Sequence, residues 1–178
     1  MNAKGEAGKN WVDPLVRPLA IASVPASGLA VTVTPDAAER VAIAKALRLA
    51  SVDALTATFQ VIHRSGGMVA VDGGLKGRIQ PFCVVSLEPF SLDINELIEV
   101  RFAAPDGRAA KPEDVLASDD PPDEIVDGMI DLGKVTTEFL SLAIPMFPKK
   151  TDAQAIAVVE EAAESPFAAL ARLKEQKL

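Results

Sequence analysis

The chain has 178 residues, with 25 acidic side chains against 18 Lys and Arg for a net charge of −7, and 49% hydrophobic residues but no tyrosine and one cysteine. That length suits a single domain able to bury roughly 70% of its unfolded surface, filled by Val, Leu, Ile and Ala because aromatics are scarce. One cysteine excludes an internal disulfide, and the opening MNAKGEAGKNWVDP lacks the apolar stretch of a secretory signal or membrane span, so a cytoplasmic protein with no membrane partner is expected.

Residues 1–13 are small and polar and read as a disordered lead-in to a single α+β domain over 14–150. Stretches 16–24 and 29–33 have extended, β-branched character around a Pro25-Ala26-Ser27-Gly28 turn, which predicts a first pair of strands. Thr34-Pro35-Asp36 offers a cap, a proline for the first helical position and an early acid. With Ala37, Val41, Ala44 and Leu47 at helical spacing it predicts a helix over 35–49.

From Ser51 the period becomes two. Leu55, Ala57, Phe59 and Val61 alternate with Thr56, Thr58 and Gln60, as in a strand with one buried face. After Ser65-Gly66-Gly67, stretches 68–71 and 75–85 read as returning strands broken at Asp72-Gly73-Gly74. Glu96, Ile98, Val100 and Phe102 mark a further strand, with Leu97, Glu99 and Arg101 on its other side.

Residues 105–122 are rich in Pro, Asp and Ala and read as a long solvated loop. Between Pro105 and Asp131 nine acids face only Arg108 and Lys111, which accounts for the whole net charge and leaves the remainder balanced. A second helix is expected over 132–144 with Val135, Phe139 and Leu142 on its apolar stripe, stopped by Pro145. Residues 151–178 form an Ala- and Glu-rich helical tail in which Phe167, Leu170 and Leu173 share one face. The expected architecture is α+β: a mainly antiparallel curved sheet or partial barrel packed by two helices, with an acidic loop and a C-terminal helical tail.

The candidate chemistry is sparse. Cys83 and His63 are the residue types of a thiol nucleophile and its base, but no orienting group or oxyanion signature accompanies them, and a buried cysteine on a strand is the plainer reading. One Cys and one His cannot supply a structural zinc set, the acidic run DDPPDEIVD lacks the spacing of a calcium loop, and VDGGLKG does not match a phosphate loop. No catalytic residue, metal or cofactor is expected. Arg64, Lys76, Arg78 and Arg101, if they lie opposite the core-facing sets, make a cationic sheet surface for RNA; the plainer reading is the wet side of an antiparallel sheet.

Three stretches together carry a resemblance. PFCVVSLEPF at 81–90 holds Cys83 with Leu87-Glu88-Pro89; LIEVRF precedes an acidic loop; and EIVDGMIDLGKVTTEFLSLAIP holds Asp131-Leu132-Gly133. This order resembles the YceD family, the large ribosomal RNA subunit accumulation proteins, over roughly residues 13–178. The resemblance matches Cys83 to the first thiol of a Cys-x-x-Cys pair, with Ser86 at the second, and sets Lys134 where a glutamate is usual. It implies a non-enzymatic role in accumulation or processing of large-subunit ribosomal RNA or its precursor, by RNA binding. The alternative is an adaptor whose acidic loop, with Asp119, Asp120, Asp123, Glu124 and Asp127, holds a basic ribosomal protein.

Overall fold

The computed structural model describes residues 13–104 and 121–153. The lead-in before residue 13, Asp119 and Asp120 with most of the acidic loop, and the tail from residue 154 lie outside the described residues. Strand β1 (Pro18–Ala20) is followed by β2 (Leu29–Val33), helix α1 (Ala37–Ala46), β3 (Ser51–His63), β4 (Val69–Gln80), β5 (Leu92–Ala103), β6 (Asp123–Glu124), β7 (Met129–Asp131) and helix α2 (Leu132–Ala143).

Five strands form one open sheet in the order β2-β3-β4-β5-β6, antiparallel except for the short parallel β5–β6 pairing. Because antiparallel partners point to the same side, Val31, Phe59, Gly73 and Ile98 share the inner face, as do Ala57 and Leu75. Ile43 and Ala44 of α1 join Leu132, Val135 and Leu140 of α2 in the same core cluster. The expected architecture of a curved antiparallel sheet packed by two helices is the one observed.

Several local expectations shift. The first two strands are not a pair: β1 joins β7, while β2 joins β3, with a 3-10 turn over Ile21–Ser23 between them. Asp36, not Thr34, caps α1. Its carboxylate accepts the Glu39 amide at 2.8 Å and Glu39 returns the favour to the Asp36 amide at 2.9 Å, a capping box that starts the helix after the proline. Val41 is 69% exposed, so the buried stripe of α1 runs through Ile43 and Ala44. On α2, Leu142 is 79% exposed; the buried face turns instead through Leu132, Val135, Thr136 and Leu140.

The Asp72-Gly73-Gly74 stretch is not a turn. Strand β4 runs straight through it, in unbroken register with β3, because a side chain at Gly73 would run into the Thr58 carbonyl. The irregularity lies across the sheet instead, between Val52 and Ala54. Strand β4 also stops at Gln80, and residues 82–89 form a tight reversal closed by a Phe82–Pro89 bridge.

Candidate nucleic-acid interface

The outer face of the sheet carries, in rows across β3, β4 and β5, Thr56-Lys76-Asn95, Thr58-Gly74-Leu97, Gln60-Asp72-Glu99 and Ile62-Ala70-Arg101. Both helices pack on the inner face; on this side Thr58, Gln60, Lys76, Arg78, Asn95 and Glu99 are exposed and Leu97 is 79% exposed, whereas Ala70 in the Arg101 row is fully buried.

Of the four cations expected to face RNA, Lys76, Arg78 and Arg101 lie on this side of the ladder, not in one patch, and Arg64 follows β3 outside it. Arg101 sits beside Ala70, with Arg64 just beyond the end of β3, whereas Lys76 and Arg78 lie six residues or more along β4 from Ala70, roughly 20 Å at 3.3 Å per residue. Arg78 donates through Nε to Asp93 at 2.8 Å, a bond that raises the guanidinium pKa. Arg101 donates to Asp72 at 2.6 Å and to the Val100 carbonyl at 3.1 Å. Lys76 and Arg64 have no ion-pair partner among the described residues. On the face as a whole, Asp53, Asp72, Asp93 and Glu99 stand among Lys76, Arg78 and Arg101, so the two signs do not segregate here.

Of the acidic loop, Asp123 and Glu124 form β6 and are exposed. Asp127 has a structural duty: with φ of 50° before Gly128 at 72°, it forms the two-residue turn closed by the Met129 amide on the Val126 carbonyl.

Beyond the end of β4, Cys83 is fully buried in its reversal. The Val85 and Ser86 amides each point at Sγ from 3.4 Å, and the turn is held by Cys83 N on the Glu88 carbonyl and Leu87 N on the Cys83 carbonyl, both 2.9 Å. Leu87 takes φ of 61°, the left-handed region, and stays exposed. The Val84 amide reaches the Pro148 carbonyl at 2.9 Å, which lays the segment after α2 against the thiol. Hydrogen bonds from Ser86, first through its hydroxyl and then its amide, together with the Lys150 amide, lower the Cys83 pKa to about 6. His63 stands at the opposite end of β3, donating to the Val24 carbonyl at 3.1 Å, so the ladder of β3 and β4 keeps thiol and imidazole far apart.

Asp131, Leu132 and Gly133 build the start of α2. The Asp131 carboxylate accepts the Gly133 amide at 2.8 Å and the Lys134 amide at 3.1 Å, while Lys134, without the reciprocal acid, reaches Glu138 instead at 3.8 Å. A network not legible in the sequence ties this cap to α1. Arg17 grips Glu39 with two bonds of 2.8 and 2.7 Å and lowers its pKa, and the Arg17 backbone joins Asp131 and Leu132.

The model of the family described as large ribosomal RNA subunit accumulation protein YceD matches residues 71–174, more than half of the chain, from the middle of β4 through the Cys83 reversal, β5 and α2. The chain belongs to the YceD family. The matched range is narrower than the 13–178 over which the motifs resemble it: β1, β2, α1 and β3 lie before it. No curated protein and no solved structure matches the chain. The YceD description links the chain to accumulation of large-subunit ribosomal RNA. Among the described residues no helix is long and apolar enough to cross a membrane, and no three His, Cys, Asp or Glu side chains gather as metal ligands would.

Proposed function

We propose that the chain promotes accumulation of large-subunit ribosomal RNA without catalysis, by binding that RNA or its precursor on the open outer face of the sheet. One observation supports this reading above the others: Lys76 stands exposed there between Thr56 and Asn95, in no ion pair among the described residues. Thr56, Thr58, Gln60 and Asn95 supply hydroxyl and amide partners for ribose and phosphate, and Lys76 supplies charge. Arg78 is paired at an exposed site, its side chain 58% and that of Asp93 74% accessible, where ion pairs are weakly held and a polyanion competes for the guanidinium. Arg64 and Arg101 extend the contact toward the far end of β3.

Charge balance on this face makes the electrostatic share of binding small, so affinity falls gently with salt. Fluorescence anisotropy with a large-subunit ribosomal RNA fragment tests this. Replacing Arg64, Lys76, Arg78 and Arg101 together by alanine weakens binding and flattens the salt dependence of what remains; unchanged binding overturns the assignment of this face.

A second reading is a protein adaptor, favoured by the exposed carboxylates of Asp123 and Glu124 on β6. Recovery of the same partners from cells before and after nuclease treatment separates the two: partners that survive nuclease are held by protein, and partners lost were bridged by RNA.

A further inference from the structure

Strand β5 is paired with β4 from Leu92 to Phe102, but on its other side among the described residues it meets a strand only at Phe102 and Ala103, where β6 joins it. Pro121 and Pro122 precede β6 and have no amide to extend that ladder, so among the described residues no strand pairs with this side of β5 before Phe102. Beside this edge runs a groove of about 870 Å3 between Glu99–Arg101 of β5, the Pro121–Asp123 approach to β6 and the outer side of α2.

The groove has an apolar floor and an acidic rim. Val100, Phe139 and Leu142 line it, and Leu142 is 79% exposed on a helix whose Leu132, Val135 and Leu140 are buried. Four acids line it, Asp13, Glu99, Asp123 and Glu138, against Arg101 and Lys134. Arg101 is engaged with Asp72 at 2.6 Å and Lys134 with Glu138 at 3.8 Å, which leaves Glu99 and Asp123 as lining acids in no ion pair among the described residues. Along β5 itself Asp93, Glu96 and Glu99 add negative charge at every third residue.

The geometry points to this groove as the docking site of an extended, Lys- or Arg-rich segment of a partner protein, which adds as a strand to the edge of β5 and seats an aliphatic side chain on Phe139 and Leu142. Each part of the partner's chemistry answers a feature present. A strand is required because the free backbone groups of an edge are satisfied by another extended backbone. Positive charge is required because Glu99 and Asp123 on the rim are in no ion pair among the described residues. The alternation of a strand then puts every second side chain toward the helix, where one aliphatic group covers Leu142. RNA is disfavoured by the rim charge, and a second copy of the chain would set the carboxylates of one β5 edge against those of the other. The proposal rests on the adaptor reading for the class of partner and gives that reading a site; it does not need the outer face to bind RNA.

The test uses the full chain and a fluorescein-labelled eight-residue peptide of alternating Lys and Val, with a Glu-Val peptide as control. Two further versions carry N-methyl groups on the odd or on the even amides. Strand addition predicts that the Lys-Val peptide binds, that the Glu-Val peptide does not, and that only one methylated version loses about tenfold or more in affinity, since only one set of amides faces β5. Glu99→Lys with Asp123→Lys weakens binding by a similar factor while circular dichroism stays unchanged. Equal binding of both methylated versions overturns the strand geometry. Binding unaffected by the double charge reversal overturns this groove and leaves the adaptor reading standing, whereas no binding by the Lys-Val peptide sinks both. Displacement of the peptide by the ribosomal RNA fragment, or a dimer that the charge reversal disperses, would assign the groove to RNA or to self-association and overturn the proposal.

Discussion

The Asp131 carboxylate accepts the backbone amide of Arg17 at 2.8 Å, across 114 residues of sequence, with the same oxygen that caps α2. One side chain therefore closes the β1–β7 pair, starts the second helix and, through the Arg17 grip on Glu39, steadies the first. Asp131→Ala leaves three amides without their acceptor. The lost cap and the partly buried Arg17 amide together cost about 2–3 kcal/mol, read as a fall of roughly 5–10 °C in melting temperature. Asp131→Asn, which keeps an oxygen in place, loses less.

Gly133 follows from the same junction. A Cβ there would lie 2.5 Å from the Leu15 carbonyl oxygen and 2.9 Å from the Arg17 nitrogen. Helix propensity favours Gly133→Ala by up to about 1 kcal/mol, but overpacking costs about 1–3 kcal/mol, so chemical denaturation shows net destabilisation.

Gly73 and Gly74 are adjacent in β4 and should respond differently. Gly73→Ala drives a methyl group into the Thr58 backbone and opens the β3–β4 ladder, whereas a Cβ on Gly74 comes no closer than 3.6 Å to the Glu96 carbonyl. Urea unfolding is expected to report a loss of about 1–3 kcal/mol for the first and no loss for the second.

The Cys83 thiol titrates at about 6, well below its ordinary value near 9. Absorbance at 240 nm places that midpoint, and Ser86→Ala moves it upward. Because the folded pKa is the depressed one, the stabilisation is complete above about pH 9 and is lost as pH falls through the folded value near 6. The stability difference between wild type and Cys83→Ala therefore shrinks between pH 9 and pH 6.

On the sheet face, Asp93→Asn and Asp72→Asn release Arg78 and Arg101 from their carboxylates. If RNA binds there, anisotropy shows affinity rising several-fold with a steeper salt dependence, by roughly one unit of slope for each phosphate newly engaged. An affinity that stays the same places the RNA elsewhere.

The period-two face of β3 and the Asp131-Leu132-Gly133 start of α2 were legible in the residues, because alternation and capping are written over a few neighbours. Wrong readings came where a distant partner decides. The glycines of β4 look like a turn until the Thr58 carbonyl is seen beside them, and Leu142 looks like core until α2 is set on the sheet.

Local pattern and the family motifs therefore determined the fold class and the kinship with proteins of ribosomal RNA accumulation. Only the tertiary structure decided which charges are free. The ion pairs of Arg78 with Asp93 and of Arg101 with Asp72 join different strands, and among the described residues β5 has a free side before Phe102 because β6 pairs with it at only two positions. Pairing across strands depends on register and strand order, and neither is encoded in the spacing of residues along one strand.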